Sequence, residues 1–365
     1  VWAAALRVAF AVVAVDPPEG KAVDRTVALV GASHPAARAM ALALEAEPEV
    51  ERVLGLASSE PPLLGPKFEY VRLRSRDRLA AQVEDAATVV VFPWLDAGAR
   101  DQEGRGAAML EDLDRLLDGI QARGGTRLVL WSSGVVYGAH DDNPVPLREQ
   151  DPLRPPADFP PAGQLAELER RVLELHGPTP VVLRPAALWA PEWGTFLARA
   201  LQAPALLGVR GTDPPVQALH PQDAAGALLL AARGSLRGVY NVAPADHVPA
   251  SKAARLLRRR RIVLPEQPAL AAAERLWDLG LAGGPPGALR YLAYPWVLDA
   301  GRLRTEGWTP TVSTAAALGE AGRQERAALV LGRLTLRKGD VYRGVGVGLA
   351  TAAMMAVARR RVRRR

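Results

Sequence analysis

Residues 127–175 read RLVLWSSGVVYGAHDDNPVPLREQDPLRPPADFPPAGQLAELERRVLEL. An apolar run, Arg127–Trp131, ends in two serines, Ser132 and Ser133, and the turn Val136-Tyr137-Gly138. A proline-rich loop follows. From Pro161 onward the apolar residues Leu165, Leu168, Val172 and Leu175 recur at helical spacing, which predicts a helix with one buried face. Pro161 suits its first turn, where a missing N–H costs no hydrogen bond.

Upstream, strands alternate with helices. Arg25–Val30 is a short β-branched run that leads into Gly31-Ala32-Ser33-His34-Pro35 and an Ala/Leu-rich helix to about Ala46. Val53–Ala57 and Tyr70–Leu73 read as the second and third strands, and Leu79–Val83 starts a short helix. Thr88–Phe92 is continuously apolar, as a strand covered on both faces should be. Met109, Leu110, Leu113, Leu116, Leu117 and Ile120 form a helical stripe that ends at Gly124-Gly125. Repeated strand–helix–strand units with right-handed crossovers predict an α/β fold, a doubly wound parallel sheet of Rossmann type.

The segments VALVGAS, VVVF, RLVLWSSGVVYG and NPVPLREQDPLRP, in that order, resemble the extended short-chain dehydrogenase/reductases, the NAD-dependent nucleotide-sugar epimerases and dehydratases. Downstream, VVLRPAALWAP, VQALHPQDAAGALLLA, GVYNVAP and LRTEGWTPTVSTAAAL are similar to the second half of that family, so the likeness spans about residues 25–320. It implies a Rossmann-like NAD(P)-binding-type domain over 25–184 and a smaller substrate-type lobe over 185–330, interleaved with the last sheet elements. An apolar extension, 1–24, and an apolar, arginine-rich tail, 331–365, flank them.

The resemblance implies a first loop of the form TGxxGxxG, which cradles the cofactor pyrophosphate. Gly31 matches the first glycine, but His34 stands at the second and Ala37 at the third. His34 puts an imidazole where phosphate should meet bare backbone, and Pro35 removes an N–H from the helix start. The expected arrangement is Ser33 as helix cap with Pro35 in the first turn. After the second strand, where an acid would bind the ribose hydroxyls, stand Ala57, Ser58 and Ser59. Arg74 aligns with the family's adenine-contacting aspartate, and Asp77 reads as a cap of the next helix. Cofactor binding is therefore expected to be absent or weak, with NAD(P) the group if any is retained. The degenerate site comprises Gly31, Ala32, Ser33, His34, Ala37 and Ser58.

The same resemblance implies a substrate-binding serine, matched by Ser133, and a Tyr-x-x-x-Lys pair on the following helix. A phenol has a pKa near 10 and works as a base only beside a cation that stabilises its phenolate. A spacing of four sets both groups on one helix face. Pro161 occupies the tyrosine position and Leu165 the lysine position, and no tyrosine or lysine occurs between Gly138 and Thr212. Ser133 is a remnant, and Tyr137 belongs to the turn. Expected is a protein of this family without catalysis, in a binding or regulatory role. An epimerase or reductase with an unusual base, and a peripheral membrane factor, are the alternatives.

Val181–Arg184 reads as the sixth strand. Phe196–Leu207 and Ala269–Gly280 read as helices of the lobe, with joints at Gly208–Pro215 and Gly283–Gly287. His220 and Asp223 could share a helix face as metal ligands, but no third ligand accompanies them, so capping of the helix from Pro221 to Ala232 is expected and no metal. Tyr240-Asn241 is expected at the base of the sheet.

Composition bounds the partners. The chain has 365 residues, 49% hydrophobic, with no cysteine, which excludes disulfides and thiolate chemistry. A reducing cytoplasm fits. Of the formal net charge of +7, six charges sit on Arg359–Arg361 and Arg363–Arg365, which leaves the body close to neutral and argues against nucleic acid as a partner. Arg258–Arg261 reads as a solvated helix end. Val1–Val15 is apolar but carries Arg7, unlike a signal peptide. Gly344–Ala358 is shorter than the roughly 20 residues a spanning helix needs. Two readings of Gly344–Arg365 stay open, a helix lying on an anionic membrane and a terminal helix packed on the body. A small molecule or protein in the cleft, and a homodimer through the helix carrying Leu165, complete the expected partners.

Overall fold

The structure, a computed structural model, describes residues 25–58, 65–73, 78–94, 101–189, 205–279, 282, 284–324, 328–331 and 334–337. Its centre is a seven-stranded parallel sheet. In chain order the strands are β1 (Thr26–Val30), β2 (Arg52–Ala57), β3 (Phe68–Arg72), β4 (Thr88–Val91), β5 (Arg127–Trp131), β6 (Thr179–Pro185) and β7 (Gly238–Val242). Across the sheet they run β7-β6-β5-β4-β1-β2-β3, so the order reverses between β1 and β4. In such sheets ligands bind beyond the carboxyl ends of the strands at that switch point.

Period-two alternation divides the core into two layers. Val27, Leu29, Val90, Val129, Val181 and Leu183 face one layer with α1 (Pro35–Glu45) and its Ala36, Met40 and Leu44. Ala28, Val30, Val89, Val91, Leu128, Leu130 and Val182 face the other. That second layer takes α2 (Leu79–Gln82) and the Met109–Ile120 stripe of α3 (Gln102–Arg123). Leu168 and Val172 of α4 (Pro160–Leu173) complete it. α5 (Pro221–Ala232) closes the first layer with Ala224, Ala227, Leu228 and Ala231. The doubly wound sheet expected from the strand–helix alternation is what forms.

Several local expectations are corrected. Ala205–Leu207 is not helical: Ala205–Val209 is a strand paired in parallel with Arg260–Leu264, as its β-branched partner run Ile262-Val263 favours. Gly208 consequently lies in a strand and not in a joint. Arg258–Arg261 is not one helix end. Arg258 turns the chain at φ 56°, and Arg260 and Arg261 begin the strand, with Arg261 bonded to Asp213. Tyr240-Asn241 belongs to an edge strand, and Asn241 is fully buried beside the site. A hairpin, Ala328–Leu331 with Leu334–Arg337, crosses into the region read as tail. Residues 1–24, Ser59, Arg74, Asp77, 196–204 and the tail Gly344–Arg365 lie outside the described residues, so the expectations placed on them are not addressed. No helix among the described residues is long and apolar enough to cross a membrane.

Beneath the carboxyl ends of β5, β6 and β7 lies a buried polar network. Glu169 of α4, 1% exposed, pairs with Arg184 of β6, 5% exposed, through bonds of 2.6 and 2.9 Å to one carboxylate oxygen. The Ser132 hydroxyl donates to the other oxygen. Arg184 also donates to the Tyr137 hydroxyl at 2.8 Å, and that hydroxyl donates to the Asn241 side-chain oxygen at 2.9 Å. Asn241 reaches onward to the carbonyls of Leu147 and Asp299, both at 3.2 Å. Removing one member of a buried, hydrogen-bonded ion pair leaves an uncompensated charge, at a cost of about 3–5 kcal/mol. Arg184→Met should lower stability by that amount in urea unfolding, and adding Glu169→Leu should recover most of the loss. A double variant no more stable than the single one would show that the pair is not the source of the cost.

Candidate functional site

The cleft at the switch point is built from the β1–α1 loop, the end of β4 and the segment after β5. Gly31 adopts φ +85°, and a Cβ there would fall 2.1 Å from the Phe92 carbonyl oxygen, so only glycine fits. This first glycine of the loop is needed for packing whether or not a phosphate binds.

His34, not Ser33, caps α1. Its Nδ1 accepts the Ala36 N–H at 3.1 Å, while Ser33 is exposed. Pro35 sits at the first helical position, as expected. The imidazole stacks on Phe92, centroids 5.5 Å apart and planes at 22°. An accepting Nδ1 leaves the proton on Nε2, the neutral tautomer. Burial pulls the ring down to about 4 from the usual histidine value. The ring outcompetes Ser33 because it satisfies the amide and also covers Phe92.

The loop's remaining amides are mostly spent. Gly31 and Ala32 donate to the Leu56 carbonyl at 2.9 and 3.0 Å, and His34 donates to the Gly31 carbonyl at 2.8 Å. Pro35 has no N–H and that of Ala36 goes to the ring. A pyrophosphate needs free N–H groups at the helix start, and these residues do not fit it. Ala37, at the third glycine position, is 1% exposed and packs in the core. Ser58 stands exposed just beyond β2.

Ser133 is half-buried and caps the 3-10 turn Gly134–Tyr137, accepting the Val135 N–H at 3.3 Å. Pro161 lies in the first turn of α4, buried, and Leu165 is 7% exposed within the core cluster. Pro161, Leu165 and Glu169 follow at intervals of four on the helix, so the ion pair to Arg184 sits on the face that the missing tyrosine and lysine would share.

No other tyrosine substitutes among the described residues. Burial pushes the Tyr137 hydroxyl up to about 12, an effect the adjacent Arg184 charge offsets only in part. Tyr291 donates to the Val135 carbonyl at 2.7 Å, and burial raises it further still. Tyr70 donates to the Ala57 carbonyl, Tyr240 to Glu306 and Tyr294 to Glu266. Of the lysines, the Lys67 ammonium donates to the Glu47 carbonyl, and Lys252 is exposed in the helix Ala250–Leu256.

His220 and Asp223 serve the lobe. His220 caps α5, accepting the Gln222 N–H at 3.2 Å. Asp223 accepts from the amides of Thr311 and Val312 and from the Thr311 hydroxyl, at 2.7–3.0 Å. Among the described residues no group of three His, Asp or Glu side chains could hold a metal. The Ser132–Glu169–Arg184–Tyr137–Asn241 network was not anticipated from the sequence. Its only signal was a glutamate four residues beyond Leu165, inside a stretch that reads as a solvated helix face.

No family model matches the chain. It is 28% identical over 300 residues, 78% of each chain, to uncharacterised proteins of Mycobacterium tuberculosis and Mycobacterium bovis. Among solved structures, the UDP-glucose 4-epimerase of Thermus thermophilus with NAD superposes with TM-score 0.62 at 20% identity, over 82% of this chain and 99% of that one. DesIV of Streptomyces venezuelae, a dTDP-glucose 4,6-dehydratase with NAD and TYD bound, gives 0.61 at 19%, over 82% and 96%. UDP-glucuronic acid 4-epimerase of Bacillus cereus, bound to UDP-glucuronic acid and NAD, gives 0.60 at 15%, over 82% and 99%. The fold is the one shared by these NAD-dependent epimerases and dehydratases.

The capping ring predicts a pH dependence. Between the ordinary histidine value and about 4, the unfolded chain takes up a proton that folded His34 refuses. Stability is therefore fully present above about pH 6.5 and falls as the pH drops towards 4. His34→Asn keeps a cap that does not titrate. Urea unfolding at pH 7 and pH 5 should show the unaltered chain losing about 2 kcal/mol more than the variant. Equal losses would mean that the ring is solvated.

Proposed function

We propose that this protein is a non-catalytic member of the NAD-dependent epimerase/dehydratase family, with a binding or regulatory role for its cleft. The observation that carries the reading is the state of the β1–α1 loop. The amides of Gly31, Ala32, His34 and Ala36 are engaged within the chain, and His34 fills the loop position at which the family carries a bare glycine. A protein that cannot seat the dinucleotide has no hydride acceptor, so the oxidation that starts epimerisation or dehydration in this family has nowhere to send its electrons.

The α4 positions support the same conclusion independently. Pro161 and Leu165 neither accept nor deliver a proton, and their burial adds to the packing of the helix. Ser133 keeps only a hydroxyl without a partner base, too weak an acid to work alone. The reading with an unusual base receives no support from the five described tyrosines, whose hydroxyls are all engaged. The NAD in the neighbouring structures belongs to those proteins; for this chain the loop chemistry argues that NAD(P) binding is lost.

Titration of the purified protein with NADH and with NADPH, followed by nicotinamide fluorescence, tests this. No saturable binding below 1 mM is expected, an arbitrary but generous limit of about 4 kcal/mol. Submicromolar binding of either nucleotide would overturn the proposal. Pro161→Tyr with Leu165→Lys should restore no reductase activity while His34 remains, and adding His34→Gly should improve NADH binding before any turnover is seen.

A further inference from the structure

The strands Ala205–Val209 and Arg260–Leu264 form a two-stranded parallel sheet that no third strand joins among the described residues. In a parallel pair every second residue turns both its backbone groups to the neighbour, and the residues between turn theirs away. The Arg210 N–H donates to the Leu264 carbonyl at 2.7 Å, which fixes the parity. Arg260, Ile262 and Leu264 bond inward, so Arg261 and Val263 each present an N–H and a carbonyl at the open edge. Among the described residues nothing bonds to these four groups.

The side chains leave the same edge uncovered. Six large apolar residues are exposed among the described residues, and four of them belong to this strand and the helix after it, Glu266–Asp278. They are Ile262, which is 51% exposed, Val263, Leu276 and, just past the helix, Leu279. Exposed apolar surface gathered in one place marks an interaction site. Natural edge strands are commonly guarded by charge, but here the middle of the edge carries none that is free. The Arg261 side chain folds back over Gly208 to Asp213 and the Thr212 carbonyl, at 3.1 and 2.9 Å. The exposed arginines, Arg258 and Arg260, stand at the start of the strand, and the exposed Glu266 follows its end.

We propose that this edge pairs with itself: two copies of the chain join antiparallel, about a two-fold axis at Ile262, into one four-stranded sheet. The edge sets its own register. Arg261 of one copy faces Val263 of the second, and each such pair exchanges two backbone bonds, which satisfies all four open groups on both sides. Ile262 meets its own counterpart at the position without hydrogen bonds, Cα atoms about 4.5 Å apart, and the two exposed side chains cover one another. Charge selects the antiparallel sense. It sets Arg260 opposite Leu264 with Glu266 beyond, whereas parallel pairing would stack one arginine run on the other. The surface is separate from α4, where the sequence places a homodimer, and the proposal is independent of the state of the cofactor cleft.

The absence of cysteine makes the test direct, because one introduced thiol reports on one position. Only residue 262 meets itself across the axis, at a separation a disulfide can span. Under mild oxidation Ile262→Cys should link into dimers about tenfold faster than Val263→Cys, which faces Arg261, or Leu173→Cys on α4. Sedimentation equilibrium of the unaltered chain should show dimers with Kd below about 100 µM. Ile262→Lys and Ile262→Glu should each sediment as monomers, and an equimolar mixture of the two should associate again. Both should keep the urea unfolding midpoint of the unaltered chain, since the side chain they replace is exposed. An unaltered chain that stays monomeric, a mixture that stays monomeric, or faster linkage through Leu173→Cys would overturn the proposal. A monomer that pellets with anionic vesicles would also overturn it and assign the exposed surface to a membrane.

Discussion

The Glu169–Arg184 ion pair is the constraint on which the site side of this fold depends. Two buried opposite charges hold only if every remaining donor and acceptor finds a partner. Here Ser132, Tyr137 and Asn241 supply those partners, and they come from the ends of β5 and β7 and the turn after β5. One electrostatic requirement therefore sets the position of the serine-bearing segment, the angle of α4 and the docking of the edge strand. The main chain around Ser133 keeps its shape because the charges beneath it demand it.

On the proposed reading, the same network lets the architecture stand without the family's chemistry. Pro161 and Leu165 lie on the same helix face as Glu169, eight and four residues before it, and their apolar side chains leave the ion pair whole. At the cofactor loop the replacement goes further, since His34 adds a stack on Phe92 and a capping bond. Natural sequences sit close to a stability threshold, so a residue freed from catalysis can be exchanged for one that packs or caps better.

Much of the sheet was readable in advance because its strands are short, mostly apolar runs, most of them separated by helices with a period of 3.6. The alternation of Val27–Val30 and Val89–Val91 between two cores follows directly from that pattern. Helix capping by His34 was not readable, since propensity favours the neighbouring Ser33 and the decisive contact with Phe92 lies 58 residues along the chain. The Ala205–Val209 strand was hidden in an Ala/Leu-rich run that fits either state, and was settled by its partner Arg260–Leu264. The buried network left one faint signature, Glu169 four residues beyond Leu165, because its members are ordinary as single letters and meaningful only as a set.

The bonds around Asp223 carry a consequence for the order in which the molecule assembles. This carboxylate is 3% exposed, and its partners at Thr311 and Val312 lie nearly ninety residues downstream. Until that later stretch has left the ribosome, α5 lacks the donors that fasten Asp223, and its docking on the sheet is incomplete. The early strands can pair as they emerge, but the layer that closes over β5 and β6 must wait. During synthesis one apolar face of the sheet, lined by Val129, Val181 and Leu183, therefore stays open for longer than the other.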